Sequence, residues 1–254
     1  MSPTIAAIYR YPVKGLSPEQ LATVDLGVGG TLPGDRIYAV ENGVGRFDPL
    51  NPRHLPKINF LMLMRDERLA TLRTAFDLET HVLTIMRDGK QVARGDLSTK
   101  LGRQMIEQFF AAYMKAELRG APHIVHADGH TFSDMAAHCV HIVNLATVRD
   151  IERAAGRSLD PLRFRANLYI EGLPAWEEFK WLDRTLAVGA VRLEVFDRTR
   201  RCEAVNVDPS SGVRDAGLPQ LLQRTWGHSD VGIYAKVAGA GSISEGDAIA
   251  VDGG

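Results

Sequence analysis

The densest concentration of chemistry-bearing residues lies at positions 198–212. There Cys202 follows Arg198, Arg200 and Arg201 and precedes the run Asp208-Pro209-Ser210-Ser211-Gly212. Cations beside a cysteine favour its thiolate, the form that attacks electrophiles and ligates soft metals. The segment reads equally well as a small core thiol at a strand end with solvated arginines beside it, since free cysteine is commonly buried. The Pro and Gly that follow have the types of a structural turn.

A second cluster is Arg163-Phe164-Arg165-Ala166-Asn167-Leu168. In a strand, alternate residues share a face, so Arg163, Arg165 and Asn167 are expected to point together, with the apolar residues in the opposite phase. Two guanidiniums and an amide on one face suit an oxyanion or a phosphate. A third cluster joins Tyr11-Pro12-Val13-Lys14-Gly15-Leu16 to Gly34-Asp35-Arg36. Gly15 permits close backbone approach after a strand. Each of these residues alone is an ordinary surface feature. Of the eight histidines, His123, His126, His130 and His138 lie close in sequence. Neither a helical HExxH nor a completing carboxylate and cysteine set accompanies them, which argues against zinc. Asp134 reads as an anchor or a cap to a backbone amide.

Positioning these groups falls to short strands. Residues 4–9, 21–26, 36–40, 58–64 and 69–73 carry β-formers separated by Gly or Pro. Residues 81–86 and 91–93 flank Asp88-Gly89, a tight-turn dipeptide, and predict a hairpin. From 103 to 118 the apolar residues Ile106, Phe109, Phe110, Tyr113, Met114 and Leu118 follow helical spacing, closed by Gly120 and Pro122. That break divides the chain into an N-terminal unit, 1–120, and a second unit, 121–254, packed closely because the link is short. The second unit predicts a strand at 139–143, a helix at 146–155 ended by Gly156, alternating strands near 191–196 and 231–237, and a last strand at 247–251. The fold class is α+β and β-rich: a closed or nearly closed barrel with peripheral helices, packed on an N-terminal β-rich unit.

Bulk properties narrow the partners. The chain has 254 residues, 30 basic and 31 acidic, with a net charge of -1. That balance gives no pull toward nucleic acid or an anionic membrane, so any electropositive site is local. Two cysteines, Cys139 and Cys202, are too few for a four-cysteine iron–sulfur cluster or zinc site. With no disulfide framework and no leader-like start, the chain reads as cytoplasmic. Its longest apolar run, 58–64, is far short of the roughly 20 residues of a membrane helix. There is no GxGxxG, Walker loop or GxSxG in its required context.

In their order along the chain these pieces resemble the MOSC superfamily, named after the C-terminal domain of molybdenum-cofactor sulfurase. Tyr11-Pro12-Val13-Lys14-Gly15 and Gly34-Asp35-Arg36-Ile37-Tyr38-Ala39-Val40 look like the N-terminal barrel domain that precedes it. Phe132-Ser133-Asp134, Arg163 to Leu168, Arg201-Cys202, Val207-Asp208-Pro209 through Gly212, Gly232-Ile233-Tyr234 and Gly246-Asp247 look like MOSC itself. The resemblance implies a cofactor of the molybdopterin type, with Cys202 as metal ligand and catalytic residue. It implies Lys14, Gly15, Arg36, Thr147, Arg165, Asn167 and Arg201 as cofactor contacts. A family-level label of pyridoxal phosphate binding comes with it.

The well-understood members are amidoxime-reducing proteins, so the implied activity is reduction of a small N-hydroxylated or N-oxygenated substrate. The chain lacks the cysteines for the ferredoxin domain of longer relatives, so electrons are expected from a separate donor protein. Two other readings use the same residues: a molybdenum-cofactor carrier without turnover, and a sulfur carrier with a persulfide on Cys202. The chain departs from the family at Gly15, where relatives carry serine. It departs again at Arg46-Phe47-Asp48-Pro49-Leu50-Asn51-Pro52-Arg53, where a Thr-Gln-Arg-like run is usual. The latter loop is expected to shape substrate access.

Overall fold

The computed structural model describes residues 2–252. Its centre is an eight-stranded sheet curled into a half-barrel. The strand order is Ala250–Val251, Thr185–Val188, Val191–Arg200, Asp230–Gly239, Val140–Asn144, Leu168–Glu171, Thr4–Arg10, Glu19–Leu21. All neighbours run antiparallel except Val140–Asn144 with Leu168–Glu171. That parallel pair needs a crossover, which the helix Leu145–Ala155 supplies. The expected barrel is therefore open, with edges at Ala250–Val251 and Glu19–Leu21.

Alternation of side chains does what the pattern predicts. Val191, Leu193 and Val195 are buried between half-buried or exposed neighbours, as are Ile233, Ala235 and Val237 on the adjacent strand, where Gly232 is buried as well. Both sheet faces are covered. One holds Ile5, Ile8, Ile142, Ile170, Leu193 and Ile233. The other packs Val143, Tyr169 and Val231 under the helices Leu145–Ala155 and Leu218–Trp226, through Val148, Ile151 and Leu222. Thr4–Arg10 and Glu19–Leu21 thus lie in the sheet of the second half of the chain, and Thr23–Leu26 pairs with Gly241–Ser244 beside it, so packing does not follow chain order.

A separate core sits under the three-stranded sheet Arg73–Phe76, Val82–Arg87, Lys90–Asp96 and the helix Lys100–Tyr113. The hairpin at Asp88-Gly89 is present, with both residues at positive φ, 50° and 74°, as a type I′ turn requires. The helix runs Lys100–Tyr113, starting and ending earlier than its apolar spacing suggested. The Thr99 hydroxyl caps it by accepting from the Gly102 N–H at 3.0 Å.

Several expected strands are corrected. Residues 58–64 and 69–73 become two 3-10 turns, Lys57–Asn59 and Glu67–Thr71, before a strand at Arg73–Phe76. The buried Asp66 carboxylate accepts from the Met62 N–H at 2.9 Å and folds that segment back on itself. The strand expected at 36–40 is Ala39–Asn42, because Arg36 takes φ 54° and turns the chain first. The last strand is only Ala250–Val251.

The run 163–167 is not a strand either. Asp160 caps a 3-10 turn, Pro161–Phe164, by accepting from the Leu162 N–H at 2.8 Å, and Pro161 presets the helical φ. Arg165 then takes φ 52°, and the strand begins at Leu168. Arg163, Arg165 and Asn167 therefore point to different places.

Candidate functional site

A cleft of about 330 Å³ gathers Lys14, Arg36, Lys57, Arg165, Arg201 and Cys202 from five separate stretches of chain. The first two are set side by side by backbone pairing. The Arg36 N–H donates to the Tyr11 carbonyl and the Lys14 N–H to the Tyr38 carbonyl, both at 2.8 Å. Asp35 accepts from the Tyr11 N–H at 2.8 Å and pairs through its other oxygen with Arg36. The buried Tyr11 ring is a platform for two cations, Arg36 at 4.7 Å and Arg165 at 4.2 Å from its centroid. Its hydroxyl donates to the Ala166 carbonyl at 3.1 Å, and burial pushes its pKa up to about 12, so it stays protonated.

Arg201 leaves the end of the long strand Val191–Arg200. It donates to the Phe164 carbonyl at 2.7 Å and reaches His141 Nε2 at 3.4 Å. Burial, with Arg201 and Arg36 beside it, holds His141 far below the ordinary histidine range, so the ring is neutral. Cys202 is a free, half-buried thiol at the start of the turn Glu203–Asn206. Lys57 stands against its sulfur. Lys57 and Lys14 share one carboxylate, Asp134, with Lys57 at 3.1 Å. Burial would raise the Asp134 carboxyl, but the two ammoniums outweigh it and hold it well below the usual carboxylate range. Asp134 is thus the anchor that aims both lysines; it caps no helix.

Two features set the electrostatics of the cleft. Buried N–H groups at Arg165 Nη2 and Arg201 Nε have no acceptor among the described residues. No carboxylate lies within salt-bridge distance of either guanidinium, again among the described residues. Burial pulls Arg165 down to about 10, the mark of a cation taken from water with too little negative charge beside it. A guanidinium keeps its proton near neutral pH, so Arg165 stays a buried cation with a donor left over. A soft thiol stands in the same cleft. Phosphate-binding cations and a soft sulfur ligand together fit a phosphorylated metal cofactor.

The remaining expected site residues divide. Gly15 lines the cleft with φ 82°, and a Cβ there would lie 3.2 Å from the Leu61 carbonyl oxygen. The left-handed backbone and that close approach are the physical reasons for glycine here. Asn167 also lines the cleft, but its amide is engaged. It accepts from the His141 N–H at 3.1 Å and donates to the Tyr9 carbonyl at 3.2 Å, tying three strands together. Thr147 does not line the cleft. Fully buried on the helix Leu145–Ala155, it donates to Glu178 at 2.7 Å and accepts from the Trp176 N–H at 2.9 Å. Arg163 is committed to Asp215 at 3.1 Å and to the Val205 carbonyl. Asp208 folds its turn by accepting from Ser210 and Ser211, as its sequence suggested.

Sequence reasoning missed Lys57, His141, Tyr234 and Cys139 as lining residues. The signal for Cys139 and His141 was present, since they alternate with the apolar Val140 and Ile142. Lys57 had none: it arrives on the 3-10 turn Lys57–Asn59. Among the described residues, no group of three or more His, Cys, Asp or Glu could hold a metal, and no helix is long and apolar enough to cross a membrane.

The fold and cleft define a β-rich protein with a cationic pocket that holds the half-buried Cys202, and this chain belongs to the MOSC-domain proteins. The MOSC N-terminal beta barrel domain matches residues 2–120 and the MOSC domain residues 127–250. Mouse mitochondrial amidoxime-reducing component 1 is 23% identical over 246 residues, covering 85% of this chain and 69% of that protein. The human protein of that name is 22% identical, covering 89% and 73%. Human molybdenum cofactor sulfurase is 36% identical over 64 residues, 25% of this chain, which spans 7% of that protein's length. A solved structure, YUAD protein from Bacillus subtilis, covers 99% of this chain and 96% of its own with 15% identity and a TM-score of 0.48.

Proposed function

We propose that this protein is a molybdenum-cofactor-dependent oxidoreductase that reduces small N-hydroxylated or N-oxygenated compounds with electrons from a separate donor protein. The observation that carries the reading is the pair of guanidiniums, Arg165 and Arg201, each with one buried N–H that has no acceptor among the described residues, in the cleft that holds the free Cys202. Similarity to the amidoxime-reducing components supports the reaction class.

In this reading Arg165 and Arg201 bind the cofactor phosphate, with Lys14 and Arg36 completing the positive wall and the Gly15 backbone packed against it. The Cys202 thiolate ligates the metal. Molybdenum would supply the two-electron chemistry at that sulfur. Asp134 orients Lys14 and Lys57, and Lys57 Nζ holds an exchangeable proton beside the reacting region. Tyr11 and Asn167 keep the two halves of the wall in register. The substrate N–O bond breaks, two electrons from the donor and two protons enter, and the N–H product and water leave. Two free thiols suit a reducing, cytoplasmic setting.

The test is elemental analysis of protein made in a cofactor-competent host, followed by turnover of a hydroxylamine with a chemical reductant. One molybdenum per chain with turnover, both lost in Cys202→Ser, supports the reading. Molybdenum without turnover by any donor replaces it with a carrier. A 32-dalton adduct on Cys202, about the mass of one sulfur, with no metal replaces it with a sulfur carrier.

A further inference from the structure

A second cavity, about 350 Å³, lies at the seam between the two cores. Leu16, Leu69 and Leu72 form one wall and Leu162, Val207 and Pro209 the other. Leu69 and Leu72 belong to the core under the three-stranded sheet, Val207 and Leu162 to the region around the helices of the main sheet. Neither core fills the gap.

Apolar gaps normally close, because empty space forfeits packing contacts on both walls. Here posts across the seam hold the walls apart. Arg73 donates to the Ser210 carbonyl at 2.7 Å, Arg214 reaches Glu67 at 3.0 Å and the Met64 carbonyl at 2.7 Å, and Arg165 donates to the Leu16 carbonyl at 2.9 Å. Polar groups on the rim are mostly used, the exceptions being Arg163 Nε and Arg165 Nη2, which have no acceptor among the described residues. Ser17 donates to the Leu72 carbonyl, Thr74 accepts from the Ser17 N–H, and Asp160 accepts from the Leu162 N–H. A cavity with few free polar partners holds water poorly and suits an apolar occupant, and its volume is that of a small-molecule site.

The cavity also touches the cofactor cleft. Gly15, Leu63, Arg163, Arg165 and Ala204 line both spaces. Two of these have the smallest side chains available, and Ala204 is two residues from Cys202. A molecule whose head lies near Cys202 can therefore lay an apolar arm along this wall.

We propose that the seam cavity binds the apolar arm of the substrate, so that the preferred substrates are N-oxygenated compounds carrying an alkyl chain and not small polar ones. The substrate head in this proposal rests on the functional reading above. The cavity's affinity for apolar groups does not.

Two measurements separate these. First, cofactor-free protein is titrated with the neutral fluorophore N-phenyl-1-naphthylamine. Wild type binds one equivalent saturably, and Leu162→Trp and Ala70→Leu, which narrow the cavity from opposite walls, weaken binding at least tenfold. No binding to wild type, or equal binding to all three folded proteins, overturns the proposal. Second, molybdenum-loaded protein is assayed with N-octylhydroxylamine and N-methylhydroxylamine. Each buried methylene is worth about fourfold in binding, so the octyl compound has a KM at least tenfold lower. Both variants raise that KM and leave the methyl compound unchanged. Equal KM values overturn the assignment of the arm. If neither compound turns over, the reductase reading fails, and the fluorophore titration alone decides the cavity.

Discussion

Arg163 and Arg165 stand two residues apart, and the structure gives them opposite fates, which makes a matched pair of substitutions informative. Arg163 is 3% exposed, bridges to Asp215 at 3.1 Å and donates to the Val205 carbonyl at 3.1 Å. Arg163→Met leaves a carboxylate and a carbonyl short of their partner. Removing one member of a buried pair costs about 3–5 kcal/mol. The lower end applies, because Arg157 also holds Asp215, at 2.7 Å. For a chain of this size about 3 kcal/mol lowers Tm by roughly 6 °C.

Arg165→Met removes a buried cation with no carboxylate partner and an N–H with no acceptor, at the loss of one bond to the Leu16 carbonyl. Those effects offset, so the cofactor-free Tm stays within about 2 °C of wild type, since one ordinary hydrogen bond is worth about 1 kcal/mol. Its loss appears in loading. A charge-assisted bond to phosphate is worth about 1.5–3 kcal/mol, which is roughly 10- to 150-fold in affinity. Calorimetry of the cofactor-free proteins and molybdenum content at graded cofactor concentration check both halves. An Arg165→Met protein that melts as early as Arg163→Met and still loads normally refutes the assignment of Arg165 to an anion.

Other outcomes follow from the same contacts. Cys202→Ser keeps the wild-type Tm in the cofactor-free state, since the thiol is half-buried and a hydroxyl also serves Lys57, and retains no molybdenum after gel filtration. Thr147→Val lowers stability by about 1–3 kcal/mol by stranding Glu178 and the Trp176 N–H, measured by urea unfolding, while molybdenum content is unchanged. His141 is buried neutral, so the unfolded chain takes up a proton below about pH 6.5 that the folded chain refuses. Stability from this group is full above that pH and falls as pH drops, by up to about 1.4 kcal/mol per pH unit. His141→Gln flattens the stability profile of the cofactor-free protein between pH 6 and 5, and an unchanged slope refutes the assignment.

Local patterns were readable where one interaction settles the outcome. The Asp88-Gly89 hairpin needs only two residues at positive φ. The strands Val191–Arg200 and Asp230–Gly239 need alternation, and their burial follows it closely. The helix near residue 106 needed its 3.6 period, although its ends were set by Thr99 and by packing. Failures fell where a capping side chain or a positive φ on a non-glycine residue overrode the pattern. Arg36 and Arg165 both take left-handed backbone, and no composition signal announces that in an arginine. Thr147 failed for another reason. A buried hydroxyl satisfies whichever polar group packs over it, here Glu178, thirty-one residues away.

By itself, the sequence determined the β-rich class and the family, and it singled out Lys14, Arg36, Arg165, Arg201 and Cys202, which the fold brings into one cleft. These depend on residue type and order, which a chain carries without being folded. Only the tertiary structure decided which cations remain unpaired. Arg163 and Arg165 are indistinguishable by type and nearly by position. One finds Asp215 fifty-two residues on, and the other stacks on Tyr11 with no carboxylate in reach. Charge compensation is a matter of distances between remote segments, and that sets which guanidinium is left without a carboxylate in the cleft of Cys202, among the described residues.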